Sequence, residues 1–383
     1  MSNFTRRHVL IGAASLAGAA VLTACGDDTD TPASPTGHVL IGAASLAGAA
    51  VLTACGDDTD TPASPTADGP ATDGTAPAGE TTTAEAPTTV DDINVGYIED
   101  GNGCMLVAVA AAQGLWEKHG LNANTLAFTN GPLQIQALST GDLDFGYIGF
   151  GALWLPMSNQ AKVVSINSRG TADRVIAQAG INSMEDLRGK KVGVPEGTSG
   201  DMLLNLALEE AGMTVDDIER VPMDPPTTIS AFTSKQIDAA GIWYPHVSTI
   251  ENNVPDLVEV AKSTDFDDLA FLAAQVAGTD ITDRPEVLKK FQAVCKEAFT
   301  WAAGNREELN TLLADFIKAP ADAISSEQEF VEIFTAEQVV ELTNDGTIEG
   351  WLTGLNEEFV KAEKAESVTA VGDYWLAEEY EQA

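Results

Sequence analysis

The run Lys191-Val192-Gly193-Val194-Pro195-Glu196-Gly197-Thr198-Ser199-Gly200 decides the fold. Four residues of strand character enter a glycine-bearing turn, and a helical pattern follows over 200–212. Gly197 and Gly200 let a backbone come close to a ligand. Thr198 or Ser199 is a natural helix cap. A helix start with free N–H groups and hydroxyls suits an anion or a carbonyl oxygen. No Lys-Ser or Lys-Thr follows the glycine, so this is not a triphosphate-binding loop of the Walker type.

The same rhythm continues on both sides. Strand patterns fall at 93–98, 125–128, 144–148, 162–166, 174–177, 218–223, 240–243, 257–260 and 271–276. Helical patterns lie between most of them, at 104–119, 132–140, 151–158 and 226–234, and from Pro285 the chain reads as nearly all helix. Alternation of this kind specifies α/β sheets covered on both faces. Ligands in such folds sit at the carboxyl ends of the strands. The loops to search are therefore 99–104, 149–151, 167–173, 195–200 and 243–246.

Composition narrows the partner. The chain has 383 residues, 44% of them hydrophobic, and a formal net charge of −38. The length holds two domains of ordinary size. The charge excludes a nucleic acid as main partner and a basic patch docking on anionic lipid.

The first 25 residues are read separately. Arg6 and Arg7 precede an apolar run that ends in Leu22-Thr23-Ala24-Cys25. Charged, then apolar, then small is the order of an export signal. The ending resembles the lipobox of bacterial lipoproteins, which implies lipid on the cysteine. Thr5-Arg6-Arg7-His8-Val9-Leu10 is similar to a twin-arginine signal. Residues 8–36 recur letter for letter at 38–66, so Cys55 repeats the position of Cys25. Either cysteine is a candidate for lipid. The stretch 56–90 has no aromatic residue and no Leu, Ile or Met. It reads as a disordered spacer.

Chemistry-bearing motifs are few. Cys104 and His119 stand 15 residues apart on one expected helix, about 22 Å at 1.5 Å per residue, too far for a nucleophile–base pair. No metal-ligating spacing and no hydrolase motif occurs in the sequence. Cys295 falls on an apolar helical stripe with Leu288, Phe291, Ala298 and Ala302, which makes it a buried thiol. Neither catalysis, a metal nor a cofactor is expected. Trp243 and Tyr244, at a strand end, suit the wall of a pocket.

Several spaced motifs carry a resemblance. Gly114-Leu115-Trp116-Glu117-Lys118-His119-Gly120, Phe128-Thr129-Asn130-Gly131-Pro132 and Ala137-Leu138-Ser139-Thr140-Gly141-Asp142-Leu143-Asp144-Phe145-Gly146 belong to it. So do Met184-Glu185-Asp186-Leu187-Arg188-Gly189-Lys190-Lys191-Val192 and Lys235-Gln236-Ile237-Asp238-Ala239-Ala240-Gly241-Ile242-Trp243. Together they resemble the nitrate/sulfonate/taurine group of ABC-transporter substrate-binding proteins.

The resemblance implies a type II periplasmic-binding-protein fold, with two α/β lobes and a ligand cleft between them. Lobe one would be 91–177 with 275–383, and lobe two 178–274, with crossovers at 174–178 and 271–277. It implies a monomeric receptor, lipid-anchored on the outer face of the cell membrane, that hands a small solute to an ABC permease and its ATPase. It places the ligand among Asn102, Gly103, Cys104, Gly149, Phe150, Thr171, Asp173, Thr198, Ser199, Trp243 and Tyr244. The implied solute is a small sulfonate or taurine-like anion. An amine, nitrate or a nitrogen heterocycle is the alternative, and an enzyme on this scaffold the remaining one.

Overall fold

Among the described residues, eleven strands and the helices between them build two mixed sheets. The computed structural model describes residues 89–266 and 268–383. The expected export signal, its repeat, nearly all of the spacer, and both Cys25 and Cys55 lie outside the described residues. All described residues fall in one compact unit.

The strands are β1 (Asp91–Ile98), β2 (Leu121–Phe128), β3 (Phe145–Ile148), β4 (Lys162–Gly170), β5 (Asp173–Ala177), β6 (Lys191–Val194), β7 (Glu219–Pro222), β8 (Ala239–Trp243), β9 (Val258–Lys262), β10 (Leu272–Ala277) and β11 (Val331–Ile333). The first sheet runs β11-β4-β10-β3-β1-β2 and the second β7-β6-β8-β5-β9. β1 pairs in parallel with β2 and β3, and β6 with β7 and β8. The other pairings are antiparallel. This is the α/β layering read from the strand–helix alternation, in the two-lobed form that the resemblance implied.

The lobe boundaries shift from the expected ones. β5 pairs on both sides within the second sheet, and β10 within the first. The strands at 174–177 and 271–276 are therefore sheet members rather than the crossings. The chain leaves the first sheet at Thr171 and Ala172, and returns between Lys262 and Leu272. The two crossings are tied together. Asp173 N donates to Ser263 Oγ, and Ser263 Oγ donates to Asp173 O, both at 3.2 Å. Gly170 N donates to Phe271 O at 2.9 Å.

Local sequence explains the elements that frame the cleft. Asn130 Oδ1 accepts from Leu133 N at 3.1 Å, Pro132 occupies the first turn, and Gly141 ends the helix Gly131–Thr140 at φ +78°. The expected helix at 104–119 divides into Met105–Ala112 and Leu115–Lys118, because Gly114 takes φ +64° between them. Helix Pro285–Gly304 buries Leu288, Phe291, Cys295, Ala298 and Ala302 against the first sheet. Each large side chain there contributes about 2 kcal/mol of burial. Cys295 is the buried thiol its stripe implied.

The second sheet has its own core of Val175, Val192, Val194, Leu203, Leu204 and Ala239. Met202 and Leu206, from the opposite face of helix Ser199–Glu210, pack instead with Phe150, Leu153 and Phe359 of the first lobe. The two lobes are thus held face to face by apolar contact.

Candidate functional site

The loop after β1 folds around two carboxyl groups. Asp100 Oδ1 accepts from Gly103 N at 2.6 Å. Glu327, from the distant helix Ala321–Gln328, accepts from Gly101 N at 2.8 Å and Asn102 N at 2.9 Å. Glycine at 101 lets the loop close on Glu327, since a Cβ there would meet its carboxylate at 2.7 Å. Asp100 and Glu327 are 4% and 2% exposed. Burial raises the Asp100 carboxyl above its ordinary range, against the opposing pull of Gly103, Trp243 and Asn102. Burial, and then the Asp100 charge, raise Glu327 further still.

The second lobe supplies the facing wall. Trp243, the last residue of β8, donates from Nε1 to Asp100 Oδ2 at 3.0 Å across the cleft. Helix Ser199–Glu210 starts at the same wall. Thr198 stands at its cap position, but its hydroxyl donates to Pro195 O at 2.6 Å and caps nothing. The expectation of a Thr198 cap fails because the turn claims the hydroxyl. Gly151 of the first lobe lies directly against the Thr198 carbonyl, where a Cβ could not be accommodated.

These elements line a cavity of about 70 Å³ that opens to solvent. Eight of the expected residues line it together: Asn102, Gly149, Phe150, Asp173, Thr198, Ser199, Trp243 and Tyr244. Three do not. Cys104 is fully buried in the first lobe's core, and burial pushes its thiol well above the ordinary value. Gly103 spends its N–H on Asp100 and stays outside the lining. Thr171 lies in a separate groove at the crossing, where its carbonyl accepts from Arg174 Nη1 at 2.8 Å.

Reading the sequence missed Asp100, Glu327, Tyr147 and Phe271, which also line the cavity. Asp100 sits inside the loop singled out at 99–104. Glu327 carries no local signal, since it reaches the loop from more than 220 residues away. His246 opens the helix His246–Glu251 behind this wall. It is half-buried with its ring edge on Trp243 at 5.3 Å, and burial pulls its imidazole down to about 4.

The charge balance of the cavity is one-sided. Asp100, Asp173 and Glu327 line it, and among the described residues no Lys or Arg does. Arg174 is adjacent in sequence but committed elsewhere. Its guanidinium donates to the carbonyls of Thr171 and Asp173 and to Glu259, and it lies over the rings of Tyr244 and Phe330. Burial pushes the Asp173 carboxyl up to about 7, although Ser199 and Arg174 act in the opposite direction. Among the described residues no cluster of His, Cys, Asp and Glu is arranged to hold a metal ion.

Comparison with known proteins follows the same lines. Residues 103–309 match the family described as NMT1/THI5 like. A Brucella abortus (strain 2308) protein, named as a candidate binding protein, is 51% identical over 288 residues, which is 75% of this chain and 90% of that one. The taurine-binding periplasmic protein of Escherichia coli (strain K12) is 27% identical over 188 residues, 48% of this chain and 58% of its own. The periplasmic aliphatic sulphonate binding protein SsuA from Escherichia coli superposes with a TM-score of 0.57 at 20% identity, over 77% of this chain and all of that one. The desulfurization enzyme DSZB shares the fold too, with a TM-score of 0.58 at 14% identity, over 76% of this chain and 98% of that one. Likeness in structure at this level shows the fold alone. Sequence similarity across the relative's length and over more than half of this chain is what establishes kinship, and by it the chain belongs to the NMT1/THI5-like family, built on the periplasmic-binding-protein fold.

Proposed function

We propose that the protein is the solute receptor of an ABC importer and that it takes a small sulfonate of the taurine type between its lobes. The observation that carries the reading is the cavity itself. It lies where two sheets meet, walled by Tyr147, Phe150, Trp243 and Tyr244, with the start of helix Ser199–Glu210 on one side and buried carboxyl groups on the other. Closure around a solute makes a receptor of such a hinge. Ser199 and the free N–H groups of the helix start would meet the sulfonate head, while Thr198, its donors turned to Pro195 O, shapes the wall. The names of the related binding proteins support the solute class and the delivery to a permease.

A second reading is an amine or nitrogen heterocycle without a sulfonate, favoured by the three carboxyl groups and the absence of Lys or Arg among the lining residues. The receptor would be tethered outside the membrane by lipid on Cys25 or Cys55, a reading that rests on the sequence alone. No helix among the described residues is long and apolar enough to cross a membrane.

A thermal-shift screen of the full chain tests the function. The probes are taurine, alkanesulfonates, nitrate, simple amines and aminopyrimidines. A solute at 100 times its Kd adds about 2.7 kcal/mol. A rise in Tm with sulfonates supports the first reading, and a rise with amines or aminopyrimidines alone supports the second. Chemical conversion of a binding solute would instead mark an enzyme.

A further inference from the structure

We propose that Arg174 is a positioning residue for the solute cavity: it fixes the Tyr244 wall and, through Phe330, couples that wall to the loop at 99–104. This deepens the receptor reading and rests on it for the solute alone.

The argument starts at the first crossing between the sheets, where Thr171 is gripped from both lobes. Its N–H donates to the carbonyl of Phe330, beside β11 of the first sheet, at 2.8 Å. Its carbonyl accepts from Arg174 Nη1, on β5 of the second sheet, also at 2.8 Å. The next carbonyl, that of Ala172, accepts from Tyr244 N at 3.2 Å. A lobe rotation about this crossing must carry Phe330, Arg174 and Tyr244 with it or break these bonds.

Arg174 is the part that these contacts share. It is 5% exposed, and a buried guanidinium is tolerated only when its donors are served. Nη1 donates also to Asp173 O at 2.7 Å, and Nε donates to Glu259 Oε1 at 3.1 Å. Its central carbon lies 5.2 Å from the Tyr244 ring centre and 4.7 Å from that of Phe330, and the two ring centres are 5.0 Å apart. Two ring faces add cation–π attraction to the hydrogen bonds. A lysine has no planar fork with which to reach carbonyls, carboxylate and rings together.

Phe330 carries the link onward. Its N–H donates to Glu327 O at 3.0 Å, and the Glu327 carboxyl accepts from Gly101 N and Asn102 N. Its ring packs with Phe232, Trp243 and Tyr244 of the second lobe. A shift of that ring therefore moves the end of helix Ala321–Gln328, and with it the loop that Glu327 holds. Tyr244 and Asn102 line the cavity from opposite lobes. Arg174 thus sets the spacing of two walls without lining the cavity itself.

The test reads amide hydrogen exchange of the full chain by mass spectrometry in the absence of solute, so it does not depend on which solute is native. Arg174→Gln removes the cation and its fork, and Phe330→Leu removes only the ring of the first lobe. Both should speed exchange in 99–104 about tenfold, Arg174→Gln should do the same at 243–247, and helix Pro285–Gly304 should not change. Melting without solute shows that the variants fold, and if Arg174→Gln does not fold, Phe330→Leu decides. Taurine titration adds a cycle with Tyr244→Ala. Arg174→Gln alone should weaken taurine about tenfold, and by less than about twofold beside Tyr244→Ala, because the side chain it acts through is then gone. Unchanged exchange in 99–104, or equal losses of taurine affinity with and without Tyr244, overturns the proposal. A wild type that does not bind taurine counts against the sulfonate solute, and the exchange rates then uphold or overturn the proposal by themselves.

Discussion

Trp243 Nε1 and Asp100 Oδ2 lie 3.0 Å apart, although the residues belong to different lobes and are separated by 143 positions. The bond joins a strand end of one lobe to the ligand loop of the other, so it exists only when the lobes are together. Trp243→Phe keeps the ring and removes the donor. Leaving buried Asp100 Oδ2 unpaired costs about 1–3 kcal/mol. Solute affinity should fall roughly 5- to 150-fold, and small-angle scattering should report a more open unliganded protein. Unchanged affinity would show that the bond is incidental to closure.

Gly151 is a point of close approach between the lobes. Any Cβ there meets the Thr198 carbonyl, a backbone atom that cannot move aside alone. Both neighbouring secondary elements remain compatible with alanine, so the lobes should fold. Gly151→Ala should therefore melt near wild type without solute and bind at least tenfold more weakly. Titration of the variant at saturating solute checks this.

Asp173 makes unliganded stability depend on pH. Burial raises its carboxyl from 3.8 to about 7 in the folded protein. The folded state thus holds a proton between pH 4 and 7 that the unfolded chain has released. This contribution is full below pH 4, declines as pH rises towards 7 and then levels off, at a total of up to roughly 4 kcal/mol. Asp173→Asn lacks the effect. Its Tm should exceed the wild-type value at pH 8 and converge with it near pH 4.5. A gap independent of pH would contradict the assignment.

Asp201 anchors the turn that carries Thr198. It is 1% exposed, accepts from Gly197 N at 2.8 Å, and pairs with Arg220 at 2.7 Å and with Lys364 of the other lobe at 3.5 Å. Arg220→Ala leaves a buried carboxylate short of its main partner. Because Arg220 is partly exposed, the expected loss is about 2 kcal/mol rather than the larger figure for a fully buried pair. Denaturant unfolding measures it. Lys364→Ala, across the cleft, should change stability little and weaken solute binding.

Much of the fold was legible because alternation of strand and helix patterns is a local signal, written within ten to fifteen residues. The cavity wall from Gly149, Phe150, Thr198, Ser199, Trp243 and Tyr244 was legible for the same reason, since each lies at a strand's carboxyl end. The lobe boundaries were not. Whether Asp173–Ala177 joins one sheet or the other depends on pairing with β8 and β9, which no local pattern records. Glu327 was illegible too, because the helical tail gives no sign that it turns back to the loop after β1. Cys104 misled because a loop's last residue and a helix's first buried one look alike in sequence.

Calorimetric titration of the full chain with taurine, followed by recovery of the solute, tests the central claim most directly. The account predicts one site per chain, a negative heat-capacity change from apolar closure, and taurine recovered unaltered. Binding at no site by taurine or any other sulfonate or amine, or conversion of the solute into product, would contradict it.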